Sequence, residues 1–267
     1  AIKKKYPESN LIVVSAYPDV FLNNKEVHRA YVFNGLSYFY DEYIDGKEFL
    51  VFANDPYLET GHVRQDEHLL KTWCEMFGLE YDGEKPTINL TPREVQYFQN
   101  KFASEKPIML LQTNGGAQTE HKYSWARDLP SAAVVKVIEH FKNDYAIVHI
   151  RREDQLSYNN TIPVTDTFRA LCVLLTMSSK RLLIDSFAQH ASAALELPST
   201  VCWVSNKPEV FGYDLHDNIL ANEFTAKPEL RNAYLSKFNI AGELIEFPYN
   251  SEDEIFNVET IIESLSK

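Results

Sequence analysis

Asp185, Ser186, Gln189 and His190 stand in one short stretch, directly after the apolar run Leu182–Ile184. An acid, a hydroxyl, an amide and an imidazole at this spacing admit two chemistries. If a buried strand ends at Ile184, Asp185 lies at its carboxyl end, where open α/β sheets bind ligands. A helix starting at Phe187 then offers free N–H groups and the positive end of its dipole to an anion, and His190 in its first turn reaches the same place. The same residues also read as helix capping, with Ser186-x-x-Gln189 as a capping box, Asp185 as a second cap and His190 as a half-buried packing histidine.

Two further loops carry residues of this kind. Ile108–Gln112 reads as a strand that enters Thr113-Asn114-Gly115-Gly116-Ala117, then Gln118, Glu120, His121 and Lys122 before Trp125. Adjacent glycines permit a close backbone approach to a ligand, and a long polar loop after a buried strand suits binding; an ordinary surface turn has the same composition. Tyr145–Ile150 reads as a strand delivering Arg151, Arg152, Glu153 and Asp154, either a clamp for a diphosphate or a solvated charge cluster. His62, Arg64 and His68 are spaced to line a cleft, but fit no metal motif.

The elements that must position these residues follow from periodicity. Leu11–Ser15, Arg29–Phe33 and Glu48–Ala53 read as strands, as do Val201–Val204 and Asn218–Leu220. His62–Gly78 carries apolar residues at helical spacing and closes on glycine. Thr91-Pro92-Arg93-Glu94 predicts a capped helix to about Phe102. Ser131–Phe141 predicts a helix burying Val134, Val135, Ile138 and Phe141. Thr165 or Asp166 should cap a helix ending near Met177, Phe187–Glu196 predicts a short helix, and Val258–Leu265 a terminal one. The polar stretch Ala103–Pro107 reads as a linker. Alternating strands and helices on both sides of it imply an α/β fold of two Rossmann-like parallel-sheet domains facing a cleft. Their expected bounds are residues 1–103 and 108–225, with a tail and helix over 226–267. The chain opens on Ala1–Tyr6, which resembles the last turns of a helix, so a first strand is expected to precede it.

A net charge of −12 argues against a duplex nucleic-acid partner. No apolar run approaches membrane-spanning length. Cys74, Cys172 and Cys202 are far apart and lack zinc spacing, which points to a reducing, cytoplasmic setting without a metal. Neither a GxGxxG nor a P-loop pattern occurs, so any nucleotide must be held without a glycine-rich fingerprint.

Together the motifs resemble a family. Asp185-Ser186-x-x-Gln189-His190-x-x-Ala193-Ala194 is similar to the D-[ST]-G-x-x-H-x-x-A-A signature of the ADP-heptose:lipopolysaccharide heptosyltransferases, glycosyltransferase family 9. The Thr113–Ala117 loop with Lys122-x-x-Trp125 resembles that family's K-x-W-P loop, and AIKKKYPESNLIVV resembles its first helix and second strand. The resemblance covers most of residues 1–225 in order. It departs at Phe187, where the family has glycine, and at Tyr123-Ser124, which spaces Lys122 from Trp125.

The resemblance implies a GT-B-like fold, with the acceptor bound mainly by residues 1–103 and the sugar nucleotide mainly by residues 108–225, and an inverting, metal-independent transfer of a heptose-like or other hexose from a nucleotide-diphosphate sugar to a glycan or lipopolysaccharide-type acceptor. It implies no cofactor beyond that substrate, and a peripheral membrane contact only through the acceptor. By resemblance, Lys122 contacts the diphosphate, and Gly115 and Gly116 admit the donor. Asp185, Ser186 and His190 border its phosphates and sugar, Glu153 or Asp154 bonds the ribose, and Val164 and Thr165 edge the base. The family's general base would lie before Ala1; His190 is the alternative within the chain. A non-catalytic nucleotide- or carbohydrate-binding protein and a GT-B sugar-nucleotide epimerase are the alternative functions.

Overall fold

The computed structural model describes residues 1–53, 55–115, 124–228 and 247–267. Gly116 and Lys122 therefore lie outside the described residues. Two all-parallel sheets occur among them. The first pairs β1 (Ile12–Ser15) with β2 (Arg29–Val32), and both strands are only half-buried. The second has six strands: β3 (Ile108–Gln112), β4 (Ala146–Ile150), β5 (Ile162–Val164), β6 (Ser178–Ile184), β7 (Thr200–Trp203) and β8 (Asp217–Leu220).

The second sheet runs in the order β5-β4-β3-β6-β7-β8. The chain builds outward from β3 in one direction, then returns to β3's other edge and builds outward again. This is the Rossmann strand order, and its direction reverses between β3 and β6. The strands are apolar enough to be covered on both faces, as parallel strands must be. Met109, Leu110 and Leu111 are fully buried. Met109 and Leu111 face the helices Ser131–Phe141 and Val258–Ser266. Ile108 and Leu110 face the helix Phe168–Met177 instead. The terminal helix contributes Ile261 and Leu265 to the first of these cores.

The helix Pro92–Lys101 carries the expected capping box, with Thr91 and Glu94 each bonded to the other's backbone. It packs on Phe168–Met177, and Arg169 there forks onto Glu94 at 2.9 and 3.0 Å while also donating to the Asn89 carbonyl. Among the described residues no helix is long and apolar enough to cross a membrane.

Five local expectations need correction. Glu48–Ala53 forms no strand: Phe49, Leu50 and Val51 are exposed, and the two-stranded sheet offers them no ladder. His62–Gly78 is not one helix but two, Thr60–Arg64 and Leu69–Met76. The break falls at Gln65, which takes the left-handed conformation (φ 56°) that ends a helix, after which the His68 side chain caps the second helix. The cap of Phe168–Met177 is Thr167, which accepts from the Ala170 amide, because β5 occupies the chain up to Val164. Val135 faces solvent and Val137 takes the buried position. Ser186 makes no capping bond from its side chain, since its hydroxyl is engaged across the sheet.

Candidate functional site

The reversal point between β3 and β6 is where the two motif-bearing strands end side by side. Asn114 and Gly115 leave β3, and Asp185 and Ser186 leave β6. Gln112, at the end of β3, donates from Nε2 to the Ser186 Oγ at 3.1 Å, which ties the two loops together.

Asp128 organises the loop after β3. This carboxylate is almost wholly buried. Its Oδ1 accepts from the Gly115 amide at 2.8 Å, and its Oδ2 accepts from Asn114 Nδ2 at 3.0 Å and from the Ser124 amide at 2.8 Å. Residues 115 and 124 flank the stretch that contains Lys122, so one carboxylate anchors both of its ends. The chain of bonds continues inward. The Thr113 hydroxyl donates to Asn114 Oδ1 at 2.9 Å and so must accept from His149 Nε2 at 2.8 Å, which assigns the Nε2–H tautomer to His149. Burial, helped by the nearby Arg151 charge, lowers the His149 pKa to about 4, in keeping with a neutral ring.

Arg127 packs under Gly115 and donates from Nε to the Asp185 carbonyl at 2.6 Å. A Cβ at position 115 would meet Arg127 Cδ at 2.8 Å, so this contact requires glycine unless Arg127 moves. The Asp185 side chain is buried and accepts from Asn206 Nδ2. Burial raises its pKa, against the opposing pull of the Asn206 bond and the Arg127 charge.

A cavity of about 190 Å³ opens over these loops. Of the expected site residues, Asn114, Gly115, Arg151, Val164, Thr165 and Ser186 line it. Thr113 lies buried beneath it. Arg151 is held by its Nη2, which donates to the Glu153 and Gln155 carbonyls at 2.8 and 2.6 Å, while its Nε is buried without a partner. Glu153 and Asp154 are exposed and off the lining, and Asp154 bonds to Arg152 instead. Phe187 forms one wall, edge-on to Phe168.

His190 and Gln189 point elsewhere. His190 Nδ1 lies 3.0 Å from the Tyr213 hydroxyl, and Gln189 Nε2 donates to the Phe211 carbonyl. His68 reaches the same group, with its Nε2 2.9 Å from the Gly212 carbonyl and its ring against Tyr213. His62 packs on Phe211 nearby. Burial first, then the His68, His216 and Arg127 charges, lower the His190 pKa to about 4. His62, Arg64 and His68 thus do not form one cleft wall: two histidines join the 208–216 loop. Among the described residues no three metal-ligating side chains converge.

Sequence reasoning passed over Gln112, Arg127, Asp128, Gln155 and Asn206. Gln155 follows the noted arginine–acid run and donates to the Gly115 carbonyl at 3.0 Å, so continuing that run by one residue finds it. Gln112, Arg127 and Asn206 carry no local signal, because their partners lie 74, 58 and 21 positions away, and Asp128 takes partners up to 14 positions back in a pattern no motif marks.

No protein-family model and no curated protein matches this sequence. Solved structures do. A glycosyl transferase family 9 protein from Veillonella parvula superposes with a TM-score of 0.61 at 11% identity, covering 99% of this chain and 90% of that one. The E. coli ADP-heptose lps heptosyltransferase II gives a TM-score of 0.61 at 13% identity over 82% of this chain and 83% of that one. The dodecameric iron-containing heptosyltransferase TibC, solved in complex with ADP-D-beta-D-heptose, gives 0.54 at 12% identity over 96% and 76%. With its parallel sheets and Rossmann strand order, the chain has the α/β, GT-B-like fold of the family 9 glycosyltransferases.

Proposed function

We propose that this protein is an inverting, metal-independent glycosyltransferase that moves a heptose-like or other hexose from a nucleotide-diphosphate sugar to a glycan or other acceptor. The observation that carries this reading is the cavity at the reversal point of a Rossmann-ordered sheet, where such sheets take nucleotides. The likeness to glycosyl- and heptosyltransferase structures, among them one in complex with ADP-D-beta-D-heptose, supports it.

In this reading an acceptor hydroxyl attacks the anomeric carbon of the donor from the face opposite the diphosphate. The bond from that carbon to the diphosphate oxygen breaks, and its electron pair leaves with the diphosphate. The acceptor proton passes to a base; His190, the candidate within the chain, is turned to Tyr213 in this structure and must swing toward the cavity to serve as one. Lys122 and Arg151 meet the charge of the leaving group, and Gly115 and Gly116 admit it close to the backbone. Val164 and Thr165 edge the base, and Asp185 and Ser186 border the sugar. The setting is cytoplasmic, with a peripheral membrane contact if the acceptor is lipid-linked.

A thermal-shift and calorimetric screen of ADP-, UDP- and GDP-sugars tests the proposal. Stabilisation by at least one is expected, with transfer or donor hydrolysis following. No stabilisation by any nucleotide diphosphate overturns it; binding without turnover supports a purely binding role instead.

A further inference from the structure

A second and larger cavity, of about 770 Å³, opens at the carboxyl ends of β7 and β8. The Asp185–Asn206 hydrogen bond links the two cavities: Ser186, next to Asp185, lines the first and Asn206 the second. Its volume lies within the range of small-molecule sites.

The lining chemistry narrows what it can hold. Four amides contribute, each with part of its capacity used. Gln65 Nε2 is on the His62 carbonyl, Asn206 Nδ2 is on Asp185, Asn222 Oδ1 accepts from the Phe224 amide, and Asn257 Oδ1 accepts from the Glu259 amide. Acceptor oxygens on Gln65 and Asn206 and donor NH₂ groups on Asn222 and Asn257 remain for a ligand. Asp66, Glu209 and Glu223 add three carboxylates against the single ammonium of Lys207, a lining charge of −2. Leu220 and Phe224 are 57% and 82% exposed and supply an apolar ledge.

Amides and carboxylates pair with hydroxyl groups, and an exposed ring packs on the C–H face of a pyranose. The negative lining repels phosphates and carboxylates. We propose that this cavity binds the acceptor as a neutral, hydroxyl-rich sugar, held beside the donor across the Asp185–Asn206 pair. The inference rests on the glycosyltransferase reading above.

Saturation-transfer NMR on the full chain tests it, with methyl α-glucoside, α-galactoside and α-mannoside as probes and glucose 6-phosphate and glucuronate as anionic counterparts. At least one neutral glycoside should receive saturation, and the anionic sugars should not. Phe224→Ala and Glu223→Ala, both at exposed positions, should each weaken the neutral glycoside about five-fold or more, as loss of one contact or hydrogen bond does. ADP affinity, measured by calorimetry on the same variants, should be unchanged. If ADP binds but no neutral glycoside does, if the anionic sugars bind better, or if the two substitutions leave the glycoside signal intact, the inference is overturned and the donor reading stands. If ADP, UDP and GDP all fail to bind, the donor reading fails on its own assay, and the acceptor role falls with it.

Discussion

Asp128 is the residue on which the first cavity depends most directly. It satisfies two backbone amides and one side-chain amide, all within a buried loop junction. Asp128→Ala leaves these donors without a partner, at roughly 1–3 kcal/mol for each buried group so abandoned. We expect a clear loss of stability in urea denaturation together with loss of nucleotide-diphosphate binding. Full binding in a folded Asp128→Ala protein would contradict the anchoring role. For Lys122 the proposed role is one of charge. Lys122→Ala should weaken a nucleoside diphosphate about ten- to a hundred-fold, the value of one charged hydrogen bond, while nucleoside affinity stays level. Calorimetry with ADP and adenosine on one variant separates this from general loop damage, which would weaken both.

At the scale of elements, Pro92–Lys101 shows how one side chain serves two purposes. Glu94 closes the capping box with Thr91 and also receives the Arg169 fork. The Arg169 guanidinium, with help from Thr91, holds the Glu94 carboxyl down at about 2. Thr91→Ala removes only a cap and should cost about 1 kcal/mol. Glu94→Ala also leaves Arg169, 5% exposed, without its counter-charge, which should cost about 3–5 kcal/mol. Chemical denaturation of the two variants side by side checks the order. Equal losses would mean that the ion pair contributes nothing beyond the cap.

Over the whole molecule, burial keeps several histidines neutral. His149 and His190 are lowered to about 4, and His62, His68 and His216 are lowered too, with burial the leading cause in each. The unfolded chain takes up these protons near pH 6.5, before the folded one does. Stability from neutral burial is therefore fully present above pH 6.5 and is lost as pH falls toward 4. His149 and His190 each contribute up to about 3 kcal/mol to that loss. Melting temperature should be level from pH 8 to 7 and drop steadily between 6.5 and 4. His190→Gln should flatten the drop. A melting temperature unchanged down to pH 4.5 would show that these rings are not buried as neutral species. Glu94 enters lower, between 4.5 and 2, so the two effects occupy different windows.

Features with local causes were legible in the order of residues. Four consecutive apolar residues made β3 legible, shorter apolar runs did the same for the ends of β6 and β7, and Thr91-Pro92-Arg93-Glu94 announced its helix because both capping partners lie three residues apart. The order of these elements was enough to predict parallel α/β sheets. Asn114, Gly115, Arg151 and Ser186, singled out from their loops, line one cavity together with Val164 and Thr165, which the resemblance supplied. Which partners the polar groups take depends on contacts made across the fold. Ser186 could not be told from a capping serine, because its actual partner, Gln112, is 74 positions away in the chain. His68 ends one hydrogen bond on Gly212, 144 positions on, and that contact helps make it a cap inside what periodicity read as a single helix. Glu48–Ala53 has strand composition but no strand beside it, and a strand is defined by its neighbour. Hydrophobic period and capping act within a few residues and are visible in order along the chain. A buried hydrogen bond is satisfied by whichever group the fold brings within about 3 Å, and the linear order carries no record of that distance.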